Sequence, residues 1–143
     1  TADGIEQVST DEFFKGRKVV IFALPGAFTP TCSAKHLPGF IKNADAIKAK
    51  GVDEIACVSV NDAFVMDAWG TSQNAGDAVA MLADGSAIFA NELGLGLDLV
   101  SKGMGPRSQR YAMIVDDGTV SVLNVEEAGA FDVSSAEAIL AAL

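Results

Sequence analysis

"RKVVIFALPGAFTPTCSAKH", residues 17–36, decides the fold. Its first eight residues form a continuous apolar run that stops at a proline, the pattern of a strand buried on both faces of a sheet. A helix start follows. Thr29 is a favoured N-cap residue, Pro30 suits the first helical position, and a helical pattern runs from there to Lys50. Cys32, one of only two cysteines in the chain, then falls at the third helical position. A sulfur placed there lies near unsatisfied N–H groups and the positive end of the helix dipole. Such a setting lowers a thiol pKa below its free value of about 8.5 and favours the nucleophilic thiolate.

The rest of the chain supplies the partners of this strand–turn–helix unit. Ser9-x-x-Glu12 is a capping box for a short helix over 10–15, closed by Gly16. Pro38-Gly39 is expected to kink or split the helical run. "VDEIACVSV" (52–60) reads as a second buried strand, and Asn61 or Asp62 caps a helix to about Ser72. "AVAMLAD" (78–84) is a third strand, followed by a short helix around Ala87–Leu93. Residues 94–109, with four glycines, read as a long loop. "RYAMIV" and "TVSVLNV" flank Asp117-Gly118, a strong hairpin signal. Ser134-x-x-Glu137 caps a last helix, "AEAILAAL". The order is β-α-β-α, an inserted segment, then β-β-α. Short strand–helix alternation implies parallel pairing with right-handed crossovers, and the hairpin adds antiparallel pairing. The expected fold is therefore α/β and thioredoxin-like: a central mixed sheet flanked by helices, as one domain over 1–143.

Composition excludes several classes of function. A length of 143 residues suits one domain that folds without disulfide staples. Half the residues are hydrophobic, which argues against disorder. A net charge of -9 disfavours nucleic acid and anionic membranes as partners. No apolar run approaches the ~20 residues of a membrane span. The start, "TADGIEQ", has neither the basic nor the apolar region of a signal peptide and no initiator Met, so a processed or trimmed chain is expected. Two cysteines make no disulfide framework, which points to a reducing compartment: the cytoplasm, or a mitochondrion or plastid if a transit peptide was removed. One histidine and two separated cysteines make no zinc spacing, so no metal is expected.

The turn itself narrows the chemistry. Thr29 stands three residues before Cys32, where a dithiol protein would carry its first cysteine. A local dithiol–disulfide cycle is therefore excluded, whereas a lone thiolate can attack a peroxide and become a sulfenic acid. A threonine hydroxyl both donates and accepts, so Thr29 can bond the thiolate or a peroxide oxygen as well as cap the helix. Pro25 removes an N–H and stiffens the loop behind the sulfur. His36 lies four residues after Cys32 on the same helix face. A Cys–His pair would suggest a protease-like base, but no Gly-rich oxyanion signature accompanies it, so a packing or rim role is expected for His36. Cys57 sits in the middle of a buried strand, where a small core residue is the ordinary reading. A disulfide needs Cα atoms within about 7 Å. Cys32 lies beyond the end of its strand and Cys57 three residues short of the end of its own, so an internal bond is not expected without unfolding.

Pro25-x-x-x-Thr29-x-x-Cys32 matches the peroxiredoxin signature. "PGAFTPTCSAKHLPGF" resembles the type II subfamily, also called peroxiredoxin five, and "KGVDEIACVSVNDAFVM" and "YAMIVDDG" extend the likeness to nearly the whole chain. The plant and proteobacterial glutathione/glutaredoxin-dependent members look most similar. The family's usual N-terminal hairpin, with its Gly-Asp-x-x-Pro, is missing. The resemblance implies a hydroperoxide reductase with no metal, haem or flavin cofactor. It assigns the peroxidatic role to Cys32 and the family's essential arginine to Arg110, with Arg107 as a rival expected to support the loop. An arginine stays charged and offers several donors. Plant members resemble this chain in having a cysteine at Cys57, which keeps it open as a second redox thiol. Animal members carry a resolving cysteine near Ser134, and none occurs here. Recycling is therefore expected from an external thiol: glutathione with glutaredoxin, or thioredoxin. The family further implies a homodimer through the active-site end, with Phe28 and Phe64 as contacts, whereas Trp69 reads as core. Two other classes compete: a peroxide-sensing module with little turnover, and a silent scaffold in which Cys32 is structural. The presence of Thr29 and Arg110 favours the enzyme.

Overall fold

The structure, a computed structural model, describes residues 5–143, so the opening stretch read as lacking a signal sequence lies partly outside the described residues. In chain order the elements are α1 (Thr10–Phe14), β1 (Lys18–Ala23), α2 (Leu37–Lys42), α3 (Ala44–Lys48), β2 (Glu54–Ser59), α4 (Ala63–Ser72), β3 (Ala80–Ala83), α5 (Ile88–Glu92), β4 (Gly96–Leu99), β5 (Gly105–Ser108), β6 (Tyr111–Asp116), β7 (Thr119–Val125) and α6 (Ala136–Ala142). Five strands form one sheet in the order β3-β2-β1-β6-β7. β1 pairs in parallel with β2, and β2 with β3; β6 runs antiparallel to both β1 and β7. This is the mixed sheet flanked by helices that the element order predicts.

The unbroken apolar run of β1 follows from its central place. Val20 and Phe22 pack on one face with Cys57, Leu37, Phe40, Ile47, Trp69 and Ile139. Val19, Ile21 and Ala23 pack on the other with Phe14, Tyr111 and Met113. These five β1 side chains, Val19 to Ala23, are at most 1% exposed. Each large one contributes about 1.5–3 kcal/mol of burial. The Asp117-Gly118 turn has positive φ at both residues, the requirement of a two-residue hairpin turn. Capping follows the sequence at Ser9 and Asp62, whose side chains accept from Glu12 and Val65 N–H.

Three expectations are corrected. Pro38-Gly39 does not break its helix. The run is widened just before it, where Cys32–His36 form a π-helical turn in which the Leu37 N–H donates to the Cys32 carbonyl. Pro38 has no N–H to return to the preceding turn, and the wide turn takes up that defect. The interruption comes instead at Asn43, between α2 and α3. Residues 94–109 are not a loop: β4 and β5 pair as a separate antiparallel ribbon, joined by a short 3₁₀ turn at Val100–Lys102. Their glycines mask the alternation that marks a strand. Finally, α6 is capped by Ser135, which accepts from the Ala138 N–H, and not by Ser134.

Candidate active site

Parallel pairing of β1 and β2 brings the carboxyl ends of both strands to one edge, and the turn 24–31 leaves β1 there. Three contacts set its shape. Ala27 N–H donates to Asn61 Oδ1 at the end of β2 (3.0 Å), Thr29 Oγ1 donates to the Gly26 carbonyl (2.7 Å), and Arg107 Nη1 donates to the Pro25 carbonyl (3.3 Å). Phe28 has a φ of 62°, strained for a bulky residue. The Thr29 side chain departs from its reading in one respect. Its hydroxyl proton is committed to Gly26, so it neither caps forward nor donates to the sulfur, and its oxygen is left as an acceptor. Thr29 still begins the helix through its main chain, whose carbonyl accepts from Ser33 N–H (2.9 Å).

Arg107 also donates from Nε to the Met104 carbonyl (2.9 Å), so it ties the turn to the β4–β5 ribbon. Gly26 is required by this packing. A Cβ on residue 26 would lie 2.8 Å from Arg107 Nη1 and 3.2 Å from Thr29 Cγ2. Gly26→Ala is expected to push the guanidinium off Pro25. Gly26→Ala and Arg107→Ala should each lower stability by about 1 kcal/mol, the value of one such hydrogen bond. The double variant should be less destabilised than the sum, measured by urea denaturation, because both changes remove one contact.

Cys32 is 1% exposed, at the start of the π-helical turn. Arg110, immediately before β6, reaches it because β6 runs antiparallel to β1 with Tyr111 opposite Ala23, so residue 110 falls beside the turn that leaves β1. Arg110 Nη2 donates to Cys32 Sγ (3.1 Å) and its Nη1 to His36 Nδ1 (2.8 Å). The guanidinium lies 5.8 Å from the Phe131 ring centroid. A cleft of about 290 Å³, lined in part by Pro25, Thr31, Leu99, Arg110 and Gly129, opens beside these groups.

His36 is not at the rim. It is fully buried among Phe22, Phe40 and Phe131 and bridges two elements. Arginine only donates, so Nδ1 is the acceptor and the proton sits on Nε2, which donates to the Ser134 carbonyl (2.9 Å). Burial above all, and then the Arg110 charge, lower its pKa from 6.5 to about 3, so the ring is neutral at physiological pH. Ser134, expected to be a cap, is fully buried and donates through both its N–H and its hydroxyl to Glu126 Oε2 (2.9 and 2.7 Å). Glu126 and Phe131 are not marked by their local pattern: Glu126 gains its place at the site through Ser134, whose carbonyl meets His36 from 98 residues along the chain, and Phe131 through packing on the His36 ring.

Cys57 occupies the middle of β2, opposite Phe22 and Met81, with no exposure. Burial pushes its thiol well up, and neighbouring Cys32 adds to this. Both cysteines are free.

A thioredoxin-like sheet bearing one cysteine at the strand-to-helix turn, under an arginine and without the second cysteine of a dithiol pair, defines a class of single-thiol redox proteins. The chain belongs to the redoxin family, which it matches over residues 1–140, and within it to the type II peroxiredoxins. It is similar to Peroxiredoxin-2E-2, chloroplastic, of Oryza sativa subsp. japonica, with 59% identity over 146 residues, covering 99% of this chain and 65% of that protein's length. Peroxiredoxin-2B of Arabidopsis thaliana is 53% identical over 141 residues, covering 99% of this chain and 87% of that one. Among solved structures, reduced Prx3 of Vibrio vulnificus in complex with hydrogen peroxide is 63% identical with a TM-score of 0.90, covering 93% of this chain and 86% of that one.

Proposed function

We propose that the protein is a thiol-dependent peroxidase that reduces hydrogen peroxide and organic hydroperoxides, in antioxidant defence and redox homeostasis. The observation that carries this reading is the guanidinium of Arg110 donating to Cys32 Sγ at 3.1 Å. The Cys32 thiolate attacks the terminal peroxide oxygen, the O–O bond breaks, and the leaving alkoxide or hydroxide takes a proton to become alcohol or water. Sulfur is oxidised by two electrons to the sulfenic acid and the peroxide is reduced by two. Negative charge moves from sulfur to the departing oxygen, and a fixed cation beside that path stabilises the transition state. The free lone pairs of Thr29 Oγ1 orient the peroxide by accepting its O–H. The Vibrio vulnificus relative with bound hydrogen peroxide supports this substrate.

An external thiol restores the sulfur. It condenses with the sulfenic acid, releasing water and leaving a mixed disulfide that a second thiol opens. Support comes from the two internal alternatives: Cys57 is fully buried in mid-strand, and the place of a C-terminal resolving cysteine holds Ser134. Glutathione with glutaredoxin is the favoured reductant, with thioredoxin the alternative, on family resemblance. A homodimer through the active-site end is supported by the exposure of Phe28 and Phe64 (57% and 73%) on neighbouring segments of that end.

The test is hydrogen peroxide consumption with glutathione and glutaredoxin, and separately with thioredoxin and its reductase. Turnover with the first system is expected, and Cys57→Ser should retain it. Failure of every thiol system to support consumption by the wild-type chain would overturn the peroxidase reading. Loss of turnover in Cys57→Ser would overturn external recycling.

A further inference from the structure

The hydrogen bonds around Arg110 close into a ring that begins and ends on that residue. The Glu126 N–H donates to the Arg110 carbonyl (2.9 Å), continuing the β6–β7 ladder by one step. The Glu126 carboxylate reaches forward across the loop after β7. Its Oε2 accepts from Asp132 N–H (2.6 Å), Ser134 N–H (2.9 Å) and Ser134 Oγ (2.7 Å). Ser134 in turn offers its carbonyl to His36 Nε2–H, and His36 Nδ1 receives Arg110 Nη1–H. The free nitrogen of the guanidinium, Nη2, points to Cys32. The same loop carries Phe131, which lies against both His36 and Arg110.

We propose that Glu126 is the positioning residue of the site: by folding loop 126–134 onto its carboxylate, it sets the carbonyl that selects the His36 tautomer, and through that tautomer it aims the guanidinium at the reacting sulfur.

Each step follows from donor and acceptor inventory. An imidazole with its proton on Nδ1 would present a donor to a group that has only donors, and the arginine would turn away. The Ser134 carbonyl prevents this, because it gives the proton on Nε2 an acceptor. That carbonyl belongs to an irregular segment with no strand partner, so its place depends on what holds the segment. A single carboxylate oxygen receiving three donors is the clamp. Burial alone would raise the Glu126 pKa, but hydrogen bonds from Asp132, Ser134 and Val133 outweigh it and hold the carboxylate ionised.

The inference rests on the peroxidase reading for its kinetic consequence, but its geometric core is testable without turnover. His36 is the only histidine in the chain, so its ring nitrogens give one unambiguous ¹⁵N signature. Two variants separate reach from charge. Glu126→Gln keeps the length and an acceptor oxygen while removing the charge; Glu126→Asp keeps the charge and withdraws the acceptor by one methylene. With Glu126→Asp, the pure Nε2–H tautomer is expected to give way to a mixture. The rate constant of Cys32 oxidation by hydrogen peroxide should fall by on the order of 100-fold, the effect of moving a reacting group by about 1 Å. Reduction of the oxidised protein by thiol should keep its rate. Glu126→Gln should keep the tautomer and most of the oxidation rate. A wild-type tautomer and rate in folded Glu126→Asp would overturn the proposal, as would loss in Glu126→Gln with retention in Glu126→Asp. If the wild-type chain consumes no peroxide, the peroxidase reading fails, and the tautomer comparison alone decides this one.

Discussion

Cys32→Ser is expected to abolish peroxide turnover, and Arg110→Met to lower kcat/KM for hydrogen peroxide by about 10²–10³-fold, the loss typical when one preorganised donor to a transition-state charge is removed. The serine variant keeps size and burial but offers no thiolate. In the arginine variant the sulfur remains, but the cation that donates to it is gone. Arg110→Lys should restore little. The guanidinium uses two nitrogens for two partners, His36 Nδ1 at 2.8 Å and Cys32 Sγ at 3.1 Å, and an ammonium is a single point that cannot span both. The loss should fall on the oxidation step, leaving reduction by thiol near its wild-type rate. Stopped-flow fluorescence can separate the two. Trp69, the only tryptophan, donates from Nε1 to Ser33 Oγ (3.0 Å), one residue from the sulfur, and so should respond to its oxidation. An oxidation rate for Arg110→Met close to wild type would remove the arginine from the mechanism.

What the sequence disclosed follows a physical division. Several local features were legible. The apolar run of β1, the helix start at Thr29-Pro30, the caps at Ser9 and Asp62 and the Asp-Gly hairpin are each set by interactions within a few residues. The ribbon of β4 and β5 was not legible, because its glycines remove the alternation of apolar side chains on which strand recognition depends. The π-helical turn was hidden for another reason: Pro38 signals a defect in the helix but not whether a kink or a widened turn absorbs it. At the site, Cys32 was marked by its own turn, but Arg110 lies 78 residues away and was reached only through family resemblance. His36 was underrated because its role depends on two groups, Ser134 and Arg110, that the chain brings in from far along its length. Ser134 was assigned to the cap position because Ser134-x-x-Glu137 fits a capping box as well as its neighbour fits a cap. Only the packing of loop 126–134 turns the hydroxyl toward Glu126.

The stability of the fold is expected to fall as pH is lowered from about 6.5 toward about 3, at roughly 1.4 kcal/mol per pH unit, because of His36 alone over the upper part of that range. The sign follows from proton counting. In the unfolded chain the imidazole takes a proton below about 6.5. In the native state it stays neutral until about 3, held so by burial first and by the Arg110 charge second. Between those values the unfolded state therefore binds the extra proton, and lowering the pH favours it. Above about 6.5 both states are neutral and the effect is absent. Glu126 acts in the same direction but in a lower window. Its carboxyl is held below its ordinary 4.5, so its contribution is complete above that value and is lost as pH falls through the native pKa. With a single histidine in the chain, no other side chain of ordinary pKa titrates between about 6.5 and 4.5. Urea denaturation of the wild-type chain across this interval should show the slope, and His36→Gln, neutral at every pH, should flatten it even though the variant is less stable at pH 7. Parallel curves for the two proteins would mean that the ring is not neutral when folded. The acceptor nitrogen that holds Arg110 in place would then have to be found elsewhere.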